Sequence, residues 1–115
     1  MLRGEIRLVG LDPARRGEAN KRRPAVIVSN DRANTTAARL GRGVVTIVPI
    51  TSNVSHVYPF QAALTAEETG LRRDSKAQAE QVRSVSVDRV GLLLGRVPAS
   101  LMAQLDDALR LHLQL

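Results

Sequence analysis

Arginine and hydroxyl side chains beside two apolar segments are the residues of this 115-residue chain best suited to act together chemically. Arg23 lies just before the apolar run 25–28, and Thr51 directly follows the run 44–50. If the two runs are neighbouring strands, both side chains could converge on one phosphate. A guanidinium offers two parallel donors to phosphate oxygens, and a threonine hydroxyl adds a third. Such a cluster would stabilise the negative charge that develops on a pentacovalent phosphorane.

RNA cleavage is the reaction that this cluster suits best, because RNA carries its own nucleophile. When the 2′-hydroxyl attacks the neighbouring phosphate, neither a metal ion nor a nucleophilic side chain is required. We therefore predict no metal and no other cofactor. The residues alone leave a structural alternative open, in which Arg23 flanks a strand and Thr51 forms a turn hydrogen bond.

Other catalytic signatures are missing from the sequence. It has no cysteine and no HExxH, GxGxxG or GxxxxGKS/T pattern, so metal, dinucleotide and nucleotide sites lack a motif. We interpret His56 as a solvated loop residue and His112 as a packing or surface residue of a helix. Glu67 and Glu68 fall in a charged connection, where adjacent carboxylates are rarely a catalytic pair. A two-histidine ribonuclease mechanism is therefore disfavoured.

Positive charge is concentrated in the first third of the chain. The formal net charge is +6; residues 1–42 hold ten Lys and Arg against four Asp and Glu, whereas 43–115 hold seven of each. One-sided positive charge attracts a polyanion: a nucleic acid, an anionic membrane or an acidic protein. A basic surface that only aids solubility is the alternative. The membrane is the least favoured partner, because the basic segment has no large apolar face.

The composition further limits the class of protein. A cysteine-free chain with no apolar stretch long enough to span a membrane predicts a soluble protein of the reducing cytoplasm. Aromatic residues make up only 2%, which leaves Tyr58 and Phe60 as the aromatic rings available for base stacking. A general single-strand binder built from stacking platforms would need more of them.

Hydrophobic alternation and chain-breaking residues predict the elements that must position Arg23 and Thr51. They indicate strands over 3–11, 24–29, 44–50, 57–64 and 91–97, a strand with a bulge or turn over 75–87, a short helix over 32–40 and an amphipathic helix from Pro98 to the C-terminus. The predicted fold class is mainly β (α+β): a single domain over 1–115 in which a small β-barrel is followed by the C-terminal helix, with the short helix after the second strand.

Five segments occur in an order that is far more specific than any one of them alone. They are Gly4-Glu5-Ile6 with Leu11-Asp12-Pro13, the run Arg22–Asn30, Val48–Ser52, Tyr58-Pro59-Phe60 and Ala79–Ser84. Together with the terminal helix, they resemble the MazF/PemK-type toxin endoribonucleases of type II toxin–antitoxin systems. The resemblance spans nearly the whole chain.

This resemblance implies an SH3-like β-barrel with an added C-terminal helix, and a homodimer. It implies metal-independent cleavage of single-stranded mRNA at a short motif, with 2′,3′-cyclic phosphate and 5′-hydroxyl ends, and inhibition by a cognate acidic antitoxin. Carried over by motif, Arg23 would be the principal catalytic residue, and Thr51 would hold the scissile phosphate. The substrate-binding residues would be Glu18, Lys21, Arg22, Ser52, Asn53, Glu80, Gln81 and Arg83.

Two positions depart from the family pattern, and two rival functions stay open. Arg7 stands where members often carry an aromatic residue, and Arg16-Gly17-Glu18 stands where the first loop often reads Gly-Ser-Glu. These departures put base preference in doubt and leave the catalytic pair intact.

One rival is a CcdB-like toxin that shares the barrel but binds DNA gyrase through the C-terminal helix. The other is a basic barrel that binds RNA without cleaving it.

Overall fold

The computed structural model describes residues 1–11 and 22–115, and the predicted site residues Glu18 and Lys21 lie outside these ranges. In the described residues, seven strands alternate with three α-helices and two short 3-10 turns. In chain order they are β1 (Glu5–Gly10), β2 (Arg22–Ile27), α1 (Asp31–Leu40), β3 (Val44–Thr51), β4 (Gln61–Leu64), α2 (Ala66–Thr69), β5 (Ser75–Gln78), the turn Ala79–Gln81, β6 (Arg83–Ser86), the turn Val87–Arg89, β7 (Val90–Arg96) and α3 (Ala99–Leu113).

Antiparallel pairing joins the strands in the order β4-β5-β3-β2-β1-β7, and β6 also pairs with β3. Within the described ranges, the end strands β4 and β7 do not pair with each other, so the sheet is barrel-like but not closed. The expected small barrel with a C-terminal helix is confirmed in this open form. Strand β2 begins at Arg22, two residues earlier than predicted, and so carries Arg23 within the sheet.

From Val45 to Ile50, strand β3 is covered on both faces, which explains why this stretch is apolar at every position but Thr46. Val48 and Ile50 belong to the core cluster that includes the buried leucines of α3. Val45 and Ile47, on the opposite face, belong to a second cluster with Ala37 of α1. A strand covered on both sides reads as an unbroken β-branched run rather than as an alternation. The predicted strand over 44–50 is confirmed.

Both longer helices lie where the sequence predicts them. Asn30 caps α1 by accepting the amide N–H of Ala33, and Gly41 ends the helix in the left-handed conformation that glycine tolerates. In α3, Leu101, Leu105 and Leu109 are buried at four-residue spacing. The buried stripe stops there, and His112 is exposed. None of the helices described is long and apolar enough to cross a membrane.

The predicted strand 57–64 is wrong over its first half, because β4 begins only at Gln61. The segment before it closes into a turn in which the Gln61 amide donates to the Tyr58 carbonyl at 2.9 Å. The Gln61 side chain in turn accepts the Tyr58 amide N–H. Pro59, between them, has no donor for a strand ladder.

The predicted charged connection Thr65–Asp74 contains the short helix α2, which the sequence patterns above did not predict. The Thr65 hydroxyl accepts the amide N–H of Glu68, and Gly70 closes the helix in the left-handed conformation. Thr65 and Glu68 form a Thr-x-x-Glu capping pattern, which is a sequence signal for a helix N-terminus. That pattern could have identified α2.

A buried carboxylate joins β1 to β7. Arg7 donates to Glu5 through Nε and Nη2, at 2.9 and 2.8 Å, and Arg96 of β7 lies 3.4 Å from the same carboxylate. Burial raises the pKa of Glu5, but the hydrogen bond and charge of Arg7 outweigh it, so the pKa lies below its ordinary value of 4.5. Arg7, where the family often has an aromatic residue, therefore serves as the partner of Glu5.

We expect Glu5→Gln to reduce the free energy of unfolding near neutral pH by about 1–3 kcal/mol, because it removes one partner of a buried ion pair. Because the pKa of Glu5 is lower in the folded than in the unfolded protein, the ionised carboxylate contributes its full stability above pH 4.5. This contribution is lost as the pH falls through the pKa that Glu5 has in the folded protein. The variant should thus lose less stability on acidification than the parent. Urea unfolding at neutral pH and at stepwise lower pH measures both effects.

The matched control is Asp107→Asn, which removes a carboxylate that is 79% exposed and pairs with Arg110 on the surface of α3. We expect it to change stability little at either pH. Equal effects of the two substitutions would contradict the structural role assigned to Glu5.

Candidate functional site

A polar pocket lies at a gap in the pairing of β3. On one side, β3 pairs with β6 from Val44 to Ile47 and with β5 only at Ile50 and Thr51. Between these two partners the chain makes the 3-10 turn Ala79–Gln81, which interrupts the ladder. Pro49 lies at this interruption, where its missing N–H leaves no donor unsatisfied. On this side, strand β3 therefore changes its pairing partner at a residue that has no N–H to donate.

The pocket at this interruption has a volume of about 230 Å³. Residues from six segments of the chain line it, so its shape depends on the packing of several strands rather than on one loop. They are Leu11, Arg23, Pro49, Ile50, Gln78, Gln81 and Arg83.

Arg23 reaches this pocket because of its position on β2. Strand side chains alternate between faces. Ala25 and Ile27 pack in the cluster on the α1 side of the sheet, whereas Val26 packs in the α3 cluster. Arg23 therefore shares the face of Ala25. It is exposed, and no described residue forms a hydrogen bond or ion pair with its guanidinium.

Thr51 lies opposite Arg23 when the register of β2 and β3 is extended. Ala25 pairs with Pro49, so two further residues along each strand bring Arg23 and Thr51 together on the same face. The Thr51 hydroxyl accepts the amide N–H of Asn53 at 3.2 Å. Its own proton stays available to donate to a phosphate oxygen, so this turn hydrogen bond is compatible with a role in binding.

Arg83 and Gln81, both among the predicted substrate-binding residues, also line the pocket. Arg83 opens β6 opposite Ile47 of β3. It lines the pocket together with Arg23, and the described residues offer its guanidinium no carboxylate partner. Two guanidinium groups thus face one small pocket with no described counter-charge. Like charges brought together in this way favour a bound anion.

Four further predicted residues that the structure describes do not line the pocket: Arg22, Ser52, Asn53 and Glu80. Arg22 lies on the opposite face of β2, where its Nη1 closely approaches the position of a Cβ on Gly91. Glu80 instead accepts a hydrogen bond from Gln61 at 2.7 Å. Ser52 is exposed beside Thr51, and Asn53 accepts the Ser55 hydroxyl within its own turn. Their roles toward a substrate stay predictions.

Two residues near the pocket were not predicted from the sequence. Gln78 lines the pocket from the end of β5, and Lys76, two residues earlier, pairs with Thr51. Because Ala77 between them is buried in the α3 cluster, alternation along β5 puts both on the face of Thr51. The small apolar residue between two polar ones was the signal that could have identified them.

The chemistry of this pocket is that of an anion site. Its polar groups are guanidinium, amide and hydroxyl donors, which match phosphate oxygens. Carboxylate and imidazole groups, which bind divalent metals, do not cluster: in the described part of the chain, no three or more His, Asp or Glu lie close enough to hold an ion. The arrangement can bind a phosphodiester and stabilise extra negative charge on it.

Comparison with known sequences identifies related proteins over nearly the full length. The family model described as "PemK-like, MazF-like toxin of type II toxin-antitoxin system" matches residues 2–113. The chain is 64% identical to endoribonuclease MazF9 of Mycobacterium tuberculosis over 115 residues, covering all of this chain and 98% of that one. It is 34% identical to endoribonuclease PemK of Escherichia coli, over 89% of this chain and 74% of that one.

Solved structures share the fold. A MazE–MazF complex from Deinococcus radiodurans superposes with a TM-score of 0.78 at 24% identity, over all of this chain and 96% of that one. An endoribonuclease in complex with its cognate antitoxin, from a mycobacterial species, superposes with a TM-score of 0.76 at 24% identity and the same coverage. At these identities, the likeness is one of fold.

Proposed function

This chain belongs to the PemK-like, MazF-like family of type II toxin–antitoxin toxins, and from that premise we propose that it is an endoribonuclease that cleaves single-stranded RNA at a short sequence motif. Relatives that it matches over its full length or most of it are named endoribonucleases. The family match favours this activity over a gyrase-binding toxin of the CcdB type.

The observation that carries the proposal is the pocket in which Arg23 and Arg83 lie without a described counter-charge, with Thr51 opposite Arg23 when the β2–β3 register is extended by two residues. A phosphodiester bound there would receive parallel donors from Arg23 and a third donor from Thr51. The ribose 2′-hydroxyl attacks the phosphorus, the P–O5′ bond breaks, and the products are a 2′,3′-cyclic phosphate and a 5′-hydroxyl. The two arginines would stabilise the dianionic phosphorane between these states.

We propose that this reaction needs no metal ion. The nucleophile belongs to the RNA, and guanidinium groups supply the positive charge that a metal would otherwise supply. The proton lost by the attacking 2′-hydroxyl is taken up, by way of water or a phosphate oxygen, by the leaving 5′-oxygen. Arg23 stays protonated and would assist this transfer by donating hydrogen bonds to the phosphate oxygens.

The basic pocket also fits the partner implied by the family. A carboxylate-rich antitoxin segment would present pairs of oxygens that accept the two parallel guanidinium donors as phosphate oxygens do, and would compete for Arg23 and Arg83. We place this activity in the cytoplasm, where mRNA is translated. Homodimerisation stays a prediction from the family resemblance.

The test is incubation of the purified protein with a long single-stranded RNA in excess EDTA, followed by mapping of cut positions and end groups. We expect cuts at one short motif with 5′-hydroxyl ends. Thr51→Ala should reduce the cleavage rate roughly 100-fold, the low end of the range for loss of one donor to a transition state, and Thr51→Ser should restore most of it.

Each alternative gives a different result. Intact RNA in EDTA that is cut after Mg²⁺ is added would overturn metal independence but not the nuclease. Intact RNA under both conditions, bound with measurable affinity, would support a non-cleaving RNA-binding protein. Equal rates for Thr51→Ala and Thr51→Ser would remove the hydroxyl from the mechanism.

A further inference from the structure

Nearly all the aromatic rings of this chain meet in one exposed segment. The chain has one Tyr, one Phe and two His, and three of these four rings form a ladder. The His56 and Tyr58 ring centroids are 4.0 Å apart, and the Tyr58 and Phe60 rings stack at 5.2 Å with only 7° between their planes. We call His56, Tyr58 and Phe60 the aromatic ladder.

The aromatic ladder is not a part of the hydrophobic core. Tyr58 is 45% exposed, and His56 is exposed as well. Only Phe60 is half-buried, and none of the three rings belongs to either core cluster. Aromatic side chains bury large areas in most folded proteins. A chain with so few rings that places them together at the surface is not using them for stability.

Two buried polar side chains form hydrogen bonds with the backbone of the segment that carries the ladder. Lys76 is only 7% exposed, and its Nζ donates to the His56 carbonyl at 2.6 Å. Gln61 is also buried; it accepts the Tyr58 amide N–H and donates to Glu80. Burying a lysine or an amide costs free energy unless its hydrogen bonds are made. Here these bonds fix an exposed segment, so the rings are preorganised rather than loosely held.

The aromatic ladder is connected to the pocket at Arg23 and Arg83 through Thr51 and its strand partner. Lys76, which holds His56, is the strand partner of Thr51. The segment 52–60 that carries the rings leaves β3 directly after Thr51. The Lys76 Nζ lies 5.7 Å from the centre of the Tyr58 ring, so a positive charge lies next to the stack. A nucleotide chain whose phosphate is held at Thr51 would therefore have a neighbouring base within reach of the ladder.

We propose that the aromatic ladder is a base-stacking subsite for one nucleotide flanking the scissile phosphate, with His56 and Tyr58 as the exposed rings and Phe60 as their anchor. The proposal rests on the proposed RNA cleavage and extends it to the binding of the substrate base. Base stacking on aromatic rings is favourable for every base. With so few rings available, a single subsite is what the chain can form, in place of a continuous stacking surface.

Tyr58 itself reports on this subsite. The chain has one tyrosine and no tryptophan, so its intrinsic fluorescence comes from Tyr58 alone. The probes are short single-stranded oligonucleotides with 2′-fluoro riboses, which cannot be cleaved because the nucleophile is missing. We expect saturable quenching of the Tyr58 emission, by roughly half or more. An abasic position in the oligonucleotide should abolish the quenching at one site and leave it intact at the others.

Binding of the same oligonucleotides, measured by the anisotropy of a dye attached to them, tests the energetic contribution. We expect Tyr58→Leu to weaken binding roughly 10-fold, in line with the loss of one base–aromatic stack, and Tyr58→Phe to bind like the parent. The matched control is Val57→Ala, because Val57 is 41% exposed on the same segment and has no ring. It should bind like the parent.

The outcomes separate this proposal from the one it rests on. Cleavage of RNA, with oligonucleotide binding that neither quenches Tyr58 nor weakens in Tyr58→Leu, would overturn the subsite and leave the nuclease. Quenching and a weaker Tyr58→Leu without any cleavage would support the subsite and overturn the nuclease. Absence of both binding and cleavage would overturn both. Thermal melting of each variant establishes that it is folded.

Discussion

Arg23→Ala is expected to lower kcat/KM for RNA cleavage by roughly 10²–10³-fold or more, the range for loss of a group that stabilises charge in the transition state. The loss should fall mainly on kcat, because the additional negative charge that Arg23 meets exists only in the transition state. The fold should be unchanged, since Arg23 is exposed and the described residues give its guanidinium no partner to leave unsatisfied. Single-turnover cleavage of an RNA carrying the mapped motif measures this effect.

Three further substitutions show whether the donor geometry of Arg23 or only its charge is responsible for the cleavage rate. Arg23→Lys keeps the charge but loses the paired donors, so we expect it to restore only a small part of the rate. Arg39→Ala removes the same charge from the exposed last turn of α1 and should change the rate little. Arg22→Ala should weaken binding at most several-fold, because Arg22 lies over Gly91 on the other face of β2. Equal losses in Arg23→Ala and Arg39→Ala would mean that only the overall charge matters.

The sequence predicts those parts of the fold that depend on local pattern. The run 45–50 is apolar at every position but Thr46 because both faces of β3 are covered there. The spacing of Leu101, Leu105 and Leu109 follows one face of α3. The pairing of β2 with β3 also confirms that the strands carrying Arg23 and Thr51 are neighbours, which their convergence on one phosphate requires.

The sequence fails where contacts between distant residues decide the conformation. The alternating His56, Tyr58 and Phe60 resemble one face of a strand, yet Gln61 and Lys76 hold the backbone here in an irregular conformation. The turn Ala79–Gln81 likewise breaks the alternation. For that reason, spacing alone could not show that Gln81 faces the pocket while Glu80 binds Gln61.

The sequence also gives no sign of a close approach between the backbones of β7 and α2. Gly95 of β7 lies against the end of α2, where a Cβ on Gly95 would be only 2.2 Å from the Thr69 carbonyl oxygen. The backbone of α2 that faces Gly95 cannot easily move away. The Thr69 amide N–H donates to the Thr65 carbonyl at 3.1 Å, and the Thr69 hydroxyl donates to the same carbonyl at 2.7 Å. Gly95 is therefore required by space rather than by an unusual backbone angle.

Gly95→Ala is accordingly expected to destabilise the fold by about 3 kcal/mol or more, which corresponds to a melting temperature lower by roughly 10–15 °C, because strand β7 or helix α2 must shift to admit the methyl group. The matched control is Gly10→Ala on β1, where no described atom lies within 4 Å of the added Cβ. Its melting temperature should match the parent or rise slightly, since alanine restricts the unfolded chain. Scanning calorimetry of the two variants measures the difference, and a Gly95→Ala protein that melts with the parent would show that β7 and α2 are not in this close contact in solution.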